Sequence, residues 1–149
     1  MSAVTPEMPE NLLSYLRPGA PALLLTAGAD GYPSSAYTWA VGMGAKRVRF
    51  AVDAGGTALK NLQGSGLAGL HIIGPSGLAY LVKGKARKIR DRIAAVAPSE
   101  MLLWELDVIG ARDQSFPGVT AKPFTYEWPA DQRADMEKME KAVFAEMQG

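Results

Sequence analysis

Cysteine is absent from the 149 residues. Its absence excludes a disulfide framework, a thiolate metal site and a cysteine nucleophile together. Histidine occurs once, at His71. A Ser-His-Asp triad would have to use that residue, and a multi-histidine metal site is impossible. An excess of charge of one sign is also lacking: 16 basic against 15 acidic residues leave a formal net charge of +1. Nucleic acid is therefore not expected as a partner. No apolar run approaches membrane-spanning length, so no membrane is expected either. Residues 1–20 contain Glu7, Glu10 and three prolines. That pattern is not a signal peptide, and a cytoplasmic location is the expectation.

What is present is ordinary for a soluble globular protein: 48% hydrophobic and 21% charged residues. No internal repeat, low-complexity tract or linker breaks the chain, so residues 1–149 read as one domain. "TPEMPENLLSYLRPG" predicts a short helix, with Leu12, Leu13 and Leu16 on one face and Pro18-Gly19 as the stop. Leu23 to Ala27 reads as a buried strand, Asp30-Gly31 as a tight turn and Ser34 to Val41 as a second strand. "RVRFAV" alternates charged and apolar groups as a half-exposed strand does. "LAGLHII" and "LAYLVKGKARKI" follow as strands, the latter with Gly84 at a bulge or bend. "RDRIAAVA" reads as a short helix, "QSFPGVTAKP" as a loop and "FTYEW" as a last strand, while "EMLLWELDVIGARD" fits helix or strand on pattern and reads as a strand because "DVIGARD" is poor helix material. Pro129 suits a helix start, and Met136, Met139, Val143 and Met147 recur at helical spacing. The result is a mainly β fold: about six antiparallel strands with flanking helices, which such a strand order closes into a barrel or sandwich. The barrel would span residues 20–128 and the C-terminal helix 130–147.

Few residues carry chemistry by themselves. In "FAVDAGGTALKNL" a strand gives way to a helix through Gly55, Gly56 and Thr57, with Lys60 one turn on. Free N–H groups at a helix start, a hydroxyl and a cation can hold a phosphate. The same letters also describe a capped turn with a solvated lysine, the simpler reading on spacing alone. "SSAYTWA" offers a strand with small polar groups on one side and Tyr37 and Trp39 on the other. That strand could serve a flat aromatic cofactor through its backbone, or place two aromatics in a core or interface. His71 sits among apolar neighbours and reads as a packed strand residue. Lys83, Lys85, Arg87, Lys88 and Arg90 read as a solvated face. Glu105 and Asp107 share a strand face without forming a hydrolytic pair.

The order of the pieces is more specific than any one of them. "T-x-x-x-D-G-x-P" at Thr26 to Pro33, "T-x-x-K-N-L" at Thr57 to Leu62 and "V-K-G-K-A" at Val82 to Ala86 occur in sequence. In that order the chain, over residues 10–128, resembles the pyridoxamine 5'-phosphate oxidase-like family of FMN-binding split β-barrels. The resemblance implies an antiparallel six-stranded split barrel and a homodimer with FMN in a groove at its interface. It implies that Ser35, Tyr37, Thr38 and Trp39 run along the isoalloxazine and ribityl chain. Ala51, Val52 and Asp53 would meet the cofactor through their backbone, and Thr57, Lys60 and Asn61 would hold the phosphate. Trp39, Trp104 and the C-terminal helix are candidates for the dimer seam. Members that oxidise pyridoxamine phosphate carry arginine and lysine on the second strand and a basic, histidine-containing C-terminal motif. Neither occurs between Ser34 and Val41 or in "WPADQRADMEKMEKAVFAEMQG". The implied activity is thus an FMN-dependent oxidoreductase acting by hydride transfer on an unidentified small molecule, not vitamin B6 oxidation. Relatives of this fold bind deazaflavin or haem, so a non-catalytic carrier of flavin, deazaflavin or haem is the alternative. Haem would make His71 the candidate axial ligand.

Overall fold

The computed structural model describes residues 4–149. Seven strands alternate with three helices in the order β1 (Val4–Thr5), α1 (Glu10–Leu16), β2 (Ala20–Ala27), β3 (Pro33–Gly44), β4 (Arg47–Asp53), α2 (Thr57–Ser65), β5 (Leu67–Ile73), β6 (Ala79–Arg90), β7 (Met101–Asp113) and α3 (Arg133–Gln148). A 3₁₀ turn at Ala94–Val96 separates β6 from β7. The sheet runs β1-β7-β4-β3-β2-β5-β6, every pair antiparallel, and β6 pairs back onto β7. Six strands thus form a closed barrel, with β1 outside it on the edge of β7. This is the expected split-barrel fold.

Strand periodicity decides what lies inside. In β2, Ala20, Ala22 and Leu24 are buried, and they alternate with partly exposed residues. Phe50 from β4, Leu70 and Ile72 from β5, Val82 from β6 and Leu106 from β7 complete the interior. α1 joins the same core with Leu12, Leu13 and Leu16, the three leucines its sequence places on one face. Trp104, a candidate for a dimer seam, also belongs to this interior and is 6% exposed. Its even-numbered neighbours on β7, Leu102 and Leu106, point the same way.

The outer surface of β3, β4 and β7 carries a second apolar cluster around Val41, Ala51 and Leu103, covered by Val143 and Met147 of α3. The C-terminal helix therefore packs on its own barrel. Its last turn is pinned by cations, where the helix dipole favours them. Arg49 donates to the Met147 carbonyl at 2.8 Å and Arg90 to the Glu146 carbonyl at 2.9 Å. The Glu146 carboxylate in turn accepts from the N–H groups of Ala94 and Ala95. Glu105 is buried beneath this junction, bound by Arg49 at 3.1 Å and by Arg87. Arg87 also binds Asp107, so the two acids share one cation.

Two expectations differ. "RDRIAAVA" yields only the 3₁₀ turn, because Ile93 and Val96 are drawn into the outer cluster and Pro98 ends the segment. "FTYEW" is not a strand. Its alternation is real, but it forms no ladder with any strand, and residues 124–128 form a strap without regular secondary structure.

Barrel closure depends on Gly84. The β6–β7 register shifts between Lys83 and Gly84, the bulge its sequence position suggests. A Cβ built on Gly84 would lie 1.9 Å from the Asp107 carbonyl oxygen. Gly84→Ala is expected to destabilise the protein by about 3 kcal/mol or more, since backbone rather than a flexible side chain must give way. Chemical denaturation measures this directly, and an unchanged midpoint would contradict it.

Candidate functional site

The site is created where two strands part. β3 pairs with β2 from Pro33 to Ala40, but with β4 only from Ala40 to Gly44. At the fork the Thr38 hydroxyl donates to the Ala51 carbonyl at 2.7 Å and accepts from the Ala51 N–H at 3.2 Å. Thr38 is 6% exposed, so these buried backbone groups would otherwise have no partner. Beyond this point the edge of β3 that faced β4 has no paired strand among the described residues.

That free edge borders a cavity of about 420 Å³, a size that suits a small ligand. Tyr37, Thr38 and Trp39 form one wall, Met101 at the start of β7 lies beside them, and the strap 124–128 forms the other wall. Phe124, Tyr126 and Trp128 line the cavity together with Thr125 and Glu127. The Phe124 ring lies 5.5 Å from Tyr37, and its N–H donates to the Ile73 carbonyl at 2.9 Å. Tyr126 and Trp128 meet edge to face at 5.5 Å. Glu140 of α3 ties this wall down. Its carboxylate accepts from Trp39 Nε1 at 3.1 Å, from Trp128 Nε1 at 3.0 Å and from the Tyr126 hydroxyl. Burial, then the bond to Glu140, raises the Tyr126 pKa well above the ordinary phenol range. The phenol is therefore a stable donor at neutral pH.

A second groove, of about 750 Å³, lies between the β2–β3 turn and α2. Thr57 and Lys60 line it together with Asp30. Gly56 caps α2 in extended conformation without a side-chain cap bond, so the first helical N–H groups are not taken by a capping side chain. Gly66 closes the other end of α2 in the left-handed conformation, with φ +70°. The two cavities share no lining residue. They are joined by short chain paths: Met101 pairs with Asp53, four residues before Thr57, and β3 runs between them.

The ten residues anticipated for the site divide accordingly. Tyr37, Thr38 and Trp39 line the cleft, and Thr57, Lys60 and Asn61 line the groove. Ser35 is exposed on β3 between the two. Ala51 and Val52 are 1% exposed, and the Ala51 backbone is already satisfied by Thr38. Asp53 is exposed and accepts from the Gly55 N–H at 3.0 Å, which shapes the turn into α2. Asn61 turns its amide inward to Thr26 at 3.0 Å, locking α2 to β2. Phe124, Tyr126, Trp128 and Glu140 were not anticipated. The every-second aromatic pattern of "FTYEW" is the available signal, and read locally it predicts a strand.

No family model matches the chain, and no curated protein matches it. Solved structures do. An F420 reductase aligns with a TM-score of 0.58 at 16% identity, over 72% of this chain and 98% of its own. A pyridoxamine 5'-phosphate oxidase-related, FMN-binding protein of Nostoc punctiforme aligns at 0.51 and 16% identity, over 68% and 75%. The haem storage protein HutZ of Vibrio cholerae aligns at 0.50 and 14% identity, over 66% and 86%. At these identities the likeness is one of fold, and the resemblance read from the sequence is borne out at that level.

The fork itself is testable. Thr38→Val removes both bonds to Ala51 and is expected to cost about 1–3 kcal/mol, the penalty of leaving buried backbone groups unpaired. Thr38→Ser should keep most of the stability. Equal loss in both variants, measured by thermal and chemical unfolding, would show that the methyl packing matters instead.

Proposed function

We propose that the chain is an FMN-binding oxidoreductase acting on a small molecule. The observation that carries this reading is the unpaired edge of β3, whose backbone borders an aromatic cleft of about 420 Å³. A flavin ring presents both hydrogen-bond donors and acceptors along its rim. An open strand edge can match these with its own N–H and C=O groups without a dedicated side chain. Thr57, Lys60 and the start of α2 would hold the phosphate, with Lys60 the one cation among the described residues lining that groove. Asp30 in the same groove limits how strongly a dianion is held there. Bound in this way, a flavin supplies hydride transfer, and the protein supplies orientation and exclusion of water.

A homodimer completes this reading. Tyr37, Leu23, His71 and Leu81 stand directly opposite one another across β3, β2, β5 and β6. Leu23, His71 and Leu81 are only partly buried, and Tyr37 is 79% exposed. Such a row on an outer sheet face suits a two-fold partner. Deazaflavin, a ring of the same shape, fits the same strand edge, and the likeness to an F420 reductase keeps it as the second cofactor to test. Haem finds less support, because His71 lines neither cavity.

Titration with FMN, followed by visible absorbance and flavin fluorescence, tests the cofactor. Saturable spectral change is expected, weakened about tenfold or more by Thr57→Ala combined with Lys60→Ala. No response to FMN would remove the reading, and an unaltered affinity in the double variant would relocate the phosphate. Light scattering at micromolar concentration should give twice the 15.9 kDa chain mass, reduced to one chain by Leu23→Asp.

A further inference from the structure

A third cavity, of about 340 Å³, lies at the other end of β7 from the cleft. Met101, the first residue of β7, lines the cleft, and Asp113, the last, lines this cavity. The strand between them has 13 residues, roughly 40 Å of extended chain. Tyr80 stands directly opposite Asp113 across the β6–β7 ladder, so their side chains share a sheet face. Tyr80 is 7% exposed and belongs to the barrel interior. Asp113 thus places a carboxylate on the inner face at the end of the barrel. The Ser115 hydroxyl, and then the Ser115 N–H donating to Asp113 Oδ1 at 2.8 Å, hold that carboxyl below the usual carboxylate range. Burial, then the Asp113 charge, raises the Tyr80 pKa, so its hydroxyl stays neutral and can accept as well as donate. Asn11 of α1 and Ser76 of the β5–β6 turn bring an amide and a second hydroxyl to the same space. That turn is tightly defined: Ser76 and Gly77 have φ of +59° and +75°, and the Leu78 N–H donates to the Pro75 carbonyl at 3.2 Å. Among the described residues no lysine or arginine lines the cavity, and Asp113 has no ion-pair partner.

We propose that this cavity is a binding site for a small primary ammonium, with Asp113 as its counter-charge and Asn11, Tyr80 and Ser76 as further acceptors. A primary ammonium carries three N–H donors and one positive charge, and the site offers acceptors from β7, α1, β6 and the β5–β6 turn. Pro75 and Leu78 give a short aliphatic body an apolar wall. A neutral alcohol brings one donor and no charge. A carboxylate meets Asp113 with like charge and no cation to offset it. A calcium ion, which takes about six or more oxygen ligands, finds a single carboxylate here. Selectivity therefore comes from what the site withholds as well as from what it offers. An occupant bound in this way bridges α1, the β5–β6 turn and β7.

The test uses the full chain and three probes of matched length: n-butylammonium, n-butanol and butyrate. Titration calorimetry measures affinity, and backbone amide shifts in nuclear magnetic resonance spectra locate the probe. Saturable binding of n-butylammonium is expected, about tenfold or more tighter than either other probe in low salt. The amide shifts should concentrate at Asn11, Gly77, Tyr80 and Ser115. Asp113→Asn should weaken n-butylammonium about tenfold and leave n-butanol as before. Asn11→Leu changes an exposed side chain outside the barrel core and should weaken n-butylammonium several-fold, so the test stands even if Asp113→Asn fails to fold. Equal affinity for the three probes, or binding of n-butylammonium that does not saturate, overturns the proposal. So does undiminished affinity in either folded variant, and amide shifts centred elsewhere overturn the location. The flavin reading is tested separately, because the FMN titration reports on the other end of β7. Loss of the ammonium site leaves that reading standing, and absence of an FMN response leaves the ammonium site standing.

Discussion

Where β3 leaves β4, the Thr38 hydroxyl takes over the Ala51 N–H and C=O that a continuing ladder would have bonded. A strand cannot leave a sheet inside a protein unless its abandoned backbone groups find partners. The hydroxyl meets that requirement at one residue and so permits the fork. Below it, β3 and β4 are one sheet and their outer surface is sealed by α3. Above it, β3 keeps only β2, and its other edge is available to a ligand. The cleft, the path toward α2 and the place of the strap all follow from that parting.

The rest of the barrel holds the fork in position. Gly84 lets β6 cross tightly onto β7 and closes the cylinder. Glu105, buried between Arg49 and Arg87, ties β4, β6 and β7 on the outer surface. The same Arg49 reaches the last turn of α3, so barrel closure and helix docking share one charged junction. A buried carboxylate with paired guanidinium groups adds specificity of register more surely than net stability. Here the register it favours aligns Asp53 with Met101, and hence α2 with the cleft.

Glu140 plays a corresponding part on the strap. Residues 124–128 form no strand ladder, and an irregular segment of that kind would not hold one conformation by itself. Three donors converge on one carboxylate, and two edge-to-face ring contacts surround them. Charge-assisted bonds in a partly desolvated setting give the strap a defined seat. The cost is that the aromatic wall depends on one residue of α3, 12 positions from Trp128 but 101 from Trp39.

The sequence by itself determined the barrel strands, the terminal helices and the bulge at Gly84. These are written in local patterns: period-two burial, turn residues, helical spacing and the order of three short motifs. It also placed Thr57 and Lys60 together at a helix start, because a strand-to-helix turn is a local event. Only the tertiary structure decided that Trp104 faces the barrel interior, that Asn61 bonds Thr26, and that Ala51 has no backbone group to offer. Each of these depends on which face a residue presents to a partner on another element, 13 positions away for Ala51 and 35 for Asn61. The strap shows the limit most plainly. Its alternation is that of a strand, and whether an alternating segment joins a sheet depends on a free neighbouring edge, which the segment's own residues do not encode. Glu140 carries no local signal at all: a glutamate on an amphipathic helix becomes a positioning group only when folding brings two indoles and a phenol to it.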